Sequence, residues 1–372
     1  MKKKSIWEHF ALLPDPRVER TKKHKLQDIL VIAICAVICG AEHWTHIEQF
    51  GRIHDAWFRT FLDLPNGIPS HDTFGRVFAA LDPDAFEAAL RAFVAELAGS
   101  SQGKHLAIDG KTLRHSFDRA SAKAAVQMVS AWAYEDHVVF GQLAVDAQSN
   151  EITTIPELLQ LLDLTGATVT IDAIGCQREI AQQIVTHQGD YVLSLKANQP
   201  SLYDDVRMYL EDALVHGFRG EHDFWETVEK GHGRREIRRV WTTSDVGWLQ
   251  ARHDWPALGS LTVVERERHL ADRCERERHY FLSSHPGHCA QRLGTLIRQH
   301  WSVEAQLHWS LDVCFHEDAS RVRIANAAEN FSRVRRIALM LLKQETTAKT
   351  GIAGKRLRAG WDRDYLLKVL NL

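Results

Sequence analysis

Between residues 105 and 195 the chain alternates short apolar runs with helical segments, and that order leaves few folds open. Residues 105–109 (HLAID) form an apolar run that ends in an acid. Residues 126–134 and 138–145 are β-type runs joined by Glu135-Asp136-His137, which predicts a hairpin. Residues 153–164 carry helical spacing, 167–171 are a further apolar strand ending at Asp172, 177–187 are helical, and 191–195 are a strand. Three strands, a helix, a strand, a helix and a strand make a mixed α/β sheet flanked by helices. Sites in such sheets form at strand ends. Two acids, Asp109 and Asp172, stand at those ends. A strand-end Asp is also a common turn or cap residue, so either acid alone says little.

The flanks differ in character. Residues 1–99 read as a helical domain. The apolar run 29–41 is too short to span a bilayer and predicts a buried helix over 26–39. Residues 43–61 predict an amphipathic helix. Ser70 and Asp82-Pro83 are helix-start signals. Such short helices are either a DNA reader or a helical support. The small, polar residues 99–103 mark a boundary. Beyond 195, residues 200–216 are helical. Residues 218–285 hold charged, β-leaning segments, read as a β-rich insertion. In Glu265-Arg266-Glu267-Arg268 the arginines share one face of a strand and the glutamates the other. A helical pattern resumes near 288, a last core helix covers 325–343, and 346–372 is a basic tail expected to be loosely ordered unless its apolar residues dock. The catalytic unit is expected over 104–345.

Charge and cysteine usage narrow the class. The net charge is −2 and the pI about 6.9, but residues 1–25 hold eight Lys/Arg against three Asp/Glu, and 331–372 hold ten against three. Two basic ends suggest nucleic-acid contact, with a solvated basic terminus as the alternative. The six cysteines have no paired metal spacing, which suggests a reducing cytoplasm. The basic start MKKKSIWEHF has no apolar h-region and does not read as a signal peptide.

The stretch 300–323 (HWSVEAQLHWSLDVCFHEDASRVR) supplies a third acid. Polar residues recur every fourth position at His300, Glu304, His308, Asp312 and His316. On an α-helix i,i+4 neighbours adjoin, but four residues turn about 400°, so the row drifts about 40° per step. If Glu304 joins Asp109 and Asp172, three carboxylates converge and repel unless cations neutralise them. Hard divalent ions such as Mg²⁺ take oxygen ligands. Two of them can activate the attacking oxygen and stabilise the leaving oxygen of a phosphodiester. A zinc site at His300, Glu304 and His308 is the competing reading, without an HExxH motif to support it.

AIDGKTLR (107–114), TIDAIGCQ (170–177), YVLSLKANQP (191–200), GHGRRE (231–236) and the 300–323 stretch together resemble the H-repeat-associated family of insertion-sequence transposases. The resemblance runs from about Phe10 through GKRLRAGWDRDYLLKVL (354–370). It implies a ribonuclease H-like DDE domain with a β-rich insertion, and Asp109, Asp172 and Glu304 as catalytic, metal-binding acids. It implies two Mg²⁺, with Mn²⁺ able to substitute. It implies double-stranded DNA partners (transposon ends and target), strand cleavage and strand transfer, and a homodimer at synapsis. The setting it implies is the bacterial cytoplasm, nucleoid-associated on DNA, with no membrane. Where the wider superfamily often carries Tyr-x2-Arg-x3-Glu-x6-Lys, this chain has Ile297, His300 and Leu311, so those three roles do not transfer.

Candidate DNA contacts are Lys111, Arg114 and Lys196 beside the strand ends, the cluster Arg234, Arg235, Arg238 and Arg239 in the insertion, and Arg298 and His300 near the third acid. Trp301 and Trp309 read as core residues, with base stacking as the alternative. Outside the transposase reading stand a catalytically silent DNA-binding derivative and a metal-dependent nuclease without a transfer step.

Overall fold

The structure is a computed structural model that describes residues 6–118, 123–146, 148–231, 234–270 and 273–371. The predicted alternation appears as β1 (His105–Thr112), β2 (Gln127–Ala133), β3 (Val138–Ala144), the helix Glu151–Gln160, β4 (Thr168–Ile171), the helix Arg178–Thr186 and β5 (Asp190–Leu195). Strand β1 runs antiparallel to β2 and parallel to β4, and β4 is parallel to β5. Strand β4 reads TVTI and is buried throughout, as expected of a parallel strand covered on both faces. Helices Glu151–Gln160 and Arg178–Thr186 pack on β2, β3 and β5, while Ala290–His300 crosses β1, β4 and β5. The spatial order 3-2-1-4-5 is the ribonuclease H-like arrangement.

The charged insertion continues this sheet. Strands β6 (His222–Gly231), β7 (Arg234–Thr243), β8 (Ser260–His269) and β9 (Cys274–Ser283) form an antiparallel meander. Its last strand pairs with β5, Val192 opposite Ser283 and Leu195 opposite Tyr280. The order of the nine-stranded sheet is therefore β3-β2-β1-β4-β5-β9-β8-β7-β6. A sheet edge left unpaired at β5 is a liability, and the meander covers it.

The helices outside the sheet share its core. Leu26–Ile38 is apolar on all sides beyond Gln27 and Asp28 in its first turn, is buried except at Gln27, and packs on Ala327–Gln344. Ser70 and Asp82 cap their helices through Thr73 N and through Asp84 N and Ala85 N. The predicted helix over 43–61 breaks at His54 into Trp44–Ile53 and Asp55–Phe58. The basic tail is folded as Ile352–Trp361 and Arg363–Val369, with Tyr365, Leu366 and Val369 buried and Trp361 79% exposed. One apolar cluster runs from Ile6 to Leu370, through the N-terminal helices, the sheet and the tail. No helix among the described residues is long and apolar enough to cross a membrane.

The basic C-terminal region is partly interior. Arg333 pairs with Glu87 (2.9 Å) and Glu329 (2.8 Å), and Arg336 pairs with Glu317 (3.1 Å), all buried or nearly so. The buried Arg335 guanidinium lies 4.1 Å from the centre of the Phe331 ring. Arg356 donates to Val37 O (2.9 Å) and stacks on Phe315. These arginines join helices to each other and face no solvent, so local charge counting overstates the basic surface here.

Candidate active site

Strand pairing sets the first two acids side by side. Ile108 on β1 pairs with Ile171 on the parallel β4, so Asp109 and Asp172 follow at the same end of neighbouring strands. Such strands lie about 4.8 Å apart. Asp109 Oδ1 accepts from Gly110 N (2.9 Å), and Asp172 Oδ1 accepts from Ile174 N (3.1 Å). Glu304 arrives from the opposite layer. It sits in a π-helical turn, Val303–His308, between the helices Ala290–His300 and Trp309–Phe315. Asp109, Asp172 and Glu304 line one cleft of about 430 Å³.

The electrostatics mark Asp109 as the crowded member. Burial pushes its carboxyl up to about 7, and the charges of Asp172, Glu304 and Glu151 add to the rise. Glu151 is also raised, by burial and by Asp172. An all-oxygen donor set with more negative charge than its surroundings neutralise fits hard divalent cations. These acids suit Mg²⁺ or Mn²⁺ better than zinc, because hard divalent ions favour carboxylate oxygens whereas zinc favours histidine and thiolate ligands. His300 Nδ1 lies 3.0 Å from Thr170 Oγ1, which also meets His105 Nε2 (2.9 Å). Burial pushes His300 and His105 down to about 4, so both are neutral near pH 7. His308 Nδ1 stands 3.4 Å from Asp109 Oδ2, and burial, with Arg336 and Lys111 adding, lowers it to about 3. That contact is dipolar and not an ion pair.

The remaining expected residues divide by location. Lys196 and Arg238 line the cleft, as do Arg298 and the rim of His300. Arg298 also pairs with Glu229 (2.7 Å), and Arg238 with Glu236. Lys111 is buried, and its Nζ donates to both oxygens of Asp312 (2.7 and 2.8 Å) and to Asp318 (3.1 Å). The exposed Arg114 pairs with the same Asp318 (3.0 Å). Arg239 points to the other face of the sheet, held by Glu226 (2.7 Å), Glu265 (3.1 Å) and Glu267 (2.9 Å). Arg235 is exposed near the free end of β7. The Arg234 side chain lies outside what the structure describes, as do residues 232 and 233 of the GHGRRE motif.

Sequence reasoning passed over Arg266 and Glu151 as site residues and read Trp301 and Trp309 first as core residues. Arg266 lines the cleft opposite the acids, and the alternation in 265–268 already held the signal that it shares a face with Arg268. Trp301 is 56% exposed and lines the cleft, and Trp309 is 57% exposed, so neither is a core residue. Glu151, at the start of its helix, had no signal in the sequence: nothing in its neighbours reveals that the helix opens beside Asp109.

A mixed sheet of this order is the ribonuclease H-like fold, here with two strand-end aspartates and a helix glutamate lining one cleft. Residues 100–341 match the family described as Transposase DDE domain, and residues 7–94 match the one described as DDE_Tnp_1-associated. The chain belongs to the DDE transposase family. It is 39% identical over 376 residues to the H repeat-associated protein YhhI of Escherichia coli (strain K12), covering all of this chain and 98% of that one. It is 48% identical over 278 residues to a protein encoded in the dhlA 3′ region of Xanthobacter autotrophicus, covering 74% and 93%. The inactive transposase YbfQ of E. coli K12 matches at 48% over 77 residues, 21% of this chain and 92% of its own. A solved piggyBac transposase synaptic complex with hairpin DNA aligns with 98% of this chain and 75% of its own at 12% identity and a TM-score of 0.43.

Proposed function

We propose that this protein cleaves the ends of a mobile DNA element and joins them to target DNA, with Asp109, Asp172 and Glu304 as the catalytic acids. The observation that carries the reading is the meeting of three carboxylates from β1, β4 and the 303–308 turn in one cation-rimmed cleft. These acids would hold divalent ions, Mg²⁺ first and Mn²⁺ as a substitute, which supply Lewis acidity at the scissile phosphate and ease ionisation of the attacking oxygen. The rest falls to the chain itself. Lys196, Arg238, Arg266 and Arg298 surround the space beside the acids and would bind the phosphates of double-stranded DNA. Neutral His308 stands 3.4 Å from one Asp109 oxygen and adds no charge that would compete with an ion.

Water is the nucleophile for cleavage, and the freed 3′-hydroxyl is the nucleophile for joining. No covalent bond to the protein is required. Synapsis of two ends calls for a homodimer, and the reaction belongs to the bacterial cytoplasm at the nucleoid. The unit boundaries that go with this reading are 1–99 for end binding, 104–345 for catalysis (with 218–285 inserted) and 346–372 as the basic tail. The test is an end-labelled donor DNA carrying the element's terminal repeats, incubated with Mg²⁺ and either wild type or Asp109→Asn. Loss of cleavage in the variant with retained DNA binding is expected; wild-type cleavage sinks the assignment. Binding without cleavage by the wild type identifies a silent derivative. Cleavage without joining of a pre-cut end identifies a nuclease.

A further inference from the structure

The charged meander has a second face, turned away from the cleft. Arg238 and Arg266 line the cleft, so on β8 the alternate residues Glu265, Glu267 and His269 lie on the opposite face, with Cys274, Arg276 and Arg278 of β9 beside them. The register sets these six in rungs: Glu265 opposite Arg278, Glu267 opposite Arg276, and His269 opposite Cys274. The first two rungs are ion pairs of 2.8 and 2.9 Å. The last rung sets an imidazole against a thiol and closes the ladder at the turn, where Leu270 N donates to Arg273 O (2.9 Å). Glu267 stands one rung inward, and a carboxylate oxygen of Glu267, a ring nitrogen of His269 and the Cys274 sulfur all lie within 4.8 Å of one another. The two oxygens of Glu267 have separate partners. Oε2 accepts from Arg239 and Arg276 (both 2.9 Å), while Oε1 meets His269 Nε2 (2.6 Å). Hydrogen bonds to the far oxygen orient a ligating carboxylate, and the proton shared between Oε1 and Nε2 is the one a metal ion displaces. The arginines do not make the place cationic. Glu211, Glu226, Glu265 and Glu267 contact Arg239, Arg276 and Arg278, four acids to three cations, and a Cys274 thiolate would add a further negative charge. An imidazole nitrogen, a thiolate and one carboxylate oxygen make a three-ligand set for zinc with water in the fourth place. Ligand atoms on a tetrahedral zinc stand about 3.3–3.6 Å apart, so closing on an ion takes a movement of about 1 Å, which the exposed Cys274 can make.

We infer that Glu267, His269 and Cys274 form a second metal site, one that takes Zn²⁺ and staples β8 to β9 at the end of the meander. The site lies on the face of the sheet away from Asp109, Asp172 and Glu304, so its ion takes no part in their chemistry. Its role is structural: it fixes the strand end on which the exposed Arg235 stands opposite His269. Cysteine spacing alone does not reveal it, because the ligand pair is a histidine and a cysteine five residues apart across a turn.

The experiment is Co²⁺ titration of the reduced full-length protein without DNA, read by absorption. Four-coordinate Co²⁺ with a thiolate ligand absorbs strongly, where octahedral Co²⁺ on carboxylates does not. Wild type is compared with Cys274→Ser, His269→Ala, Glu267→Gln, Asp109→Asn and Cys289→Ser. One bound equivalent with a thiolate-to-cobalt band, displaced by Zn²⁺, is expected in wild type, Asp109→Asn and Cys289→Ser. The band should be absent in Cys274→Ser. His269→Ala and Glu267→Gln should each weaken binding by at least the roughly tenfold that loss of even an outer-shell partner costs. Glu267→Gln also deprives Arg239 and Arg276 of an acid; if it does not fold, Cys274→Ser and His269→Ala, at the end of the ladder, decide the matter alone. A wild type without the thiolate band, a band that survives in Cys274→Ser, or wild-type affinity in His269→Ala overturns the inference. So does loss of the band in Asp109→Asn, which would make this site one with the cleft.

Discussion

Asp109→Asn should make the ion-free protein more stable at alkaline pH and abolish its stabilisation by Mn²⁺. The carboxyl is pushed from 3.8 up to about 7 by burial and by Asp172, Glu304 and Glu151. A raised folded-state value means that the fold prefers the proton on. Stability from this group is therefore fully present below about pH 4 and is lost as pH climbs to about 7, beyond which the loss is constant. A displacement of roughly three pH units at 1.36 kcal/mol each sets a ceiling of about 4 kcal/mol. The side chain is 19% exposed and its neighbours can relax, so about 2 kcal/mol is the expected gain from the amide at pH 8. The amide keeps an oxygen for Gly110 N. Unfolding entropy near 2.1 cal/mol/K per residue gives about 0.8 kcal/mol/K for this chain, so the midpoint should rise by roughly 2–3 °C. Scanning calorimetry in EDTA at pH 8 and pH 5, at one scan rate, measures it; at pH 5 the gain should be less than half as large. With Mn²⁺ in excess the order reverses, because the wild type binds and the variant does not. A variant less stable than wild type at pH 8 in EDTA, or a difference independent of pH, refutes the reasoning.

Gly110→Ala should cost only about 1 kcal/mol or less in a denaturant titration, because the group that a Cβ would overlap is the far end of the flexible Glu151 side chain, which can swing aside. Glu317→Gln leaves the fully buried Arg336 uncompensated and should cost about 3–5 kcal/mol by urea unfolding, with little change in DNA affinity at temperatures where the variant stays folded. Lys196→Ala and Arg266→Ala should each lower the salt dependence of DNA binding by roughly one unit of slope, read by anisotropy across salt concentrations. Lys111→Ala should leave that slope unchanged and lower the unfolding midpoint, because Lys111 neutralises Asp312 and Asp318.

Where the sequence carried its own periodicity, it carried the structure. The strand and helix order of 105–195 is local, written in apolar runs of the right length, and it appears within a few residues of the expected bounds. The pairing of Asp109 with Asp172 follows from that order, since adjacent parallel strands of equal phase end together. What local pattern cannot express is who neutralises whom across the fold. Lys111 reads as a free cation beside a strand end until Asp312 and Asp318 arrive from some 200 residues later. Arg333 and Arg336 read as a basic surface until Glu87 and Glu317 are found buried against them. Both failures have one cause. A charge in sequence is assigned to solvent by default, and only tertiary contact reveals that it is paired.

The row from His300 to Asp312 shows the opposite case, where a regular pattern is served by an irregular backbone. On an ideal α-helix the row drifts about 40° per step, so over three steps Asp312 would stand about 120° from His300 and face another neighbour. The four residues nevertheless all engage the β1–β4 side: His300 meets Thr170, Glu304 opens on the cleft, His308 meets Asp109, and Asp312 meets Lys111. The π turn at Val303–His308 reconciles the two. A π-helical turn takes about 4.4 residues, so four residues advance it about 330° and the drift runs the other way, by about −30° per step. Inserted mid-row, it cancels much of what the flanking α-turns accumulate. The same cancellation explains the outward face. Trp301 and Trp309, eight apart, are both exposed, and Trp301 lines the cleft with Glu304. A straight α-helix that aimed Glu304 into the cleft would carry His308 past Asp109. The backbone irregularity thus lets one helical stretch present Glu304 to the cleft and, one step on, set neutral His308 3.4 Å from Asp109.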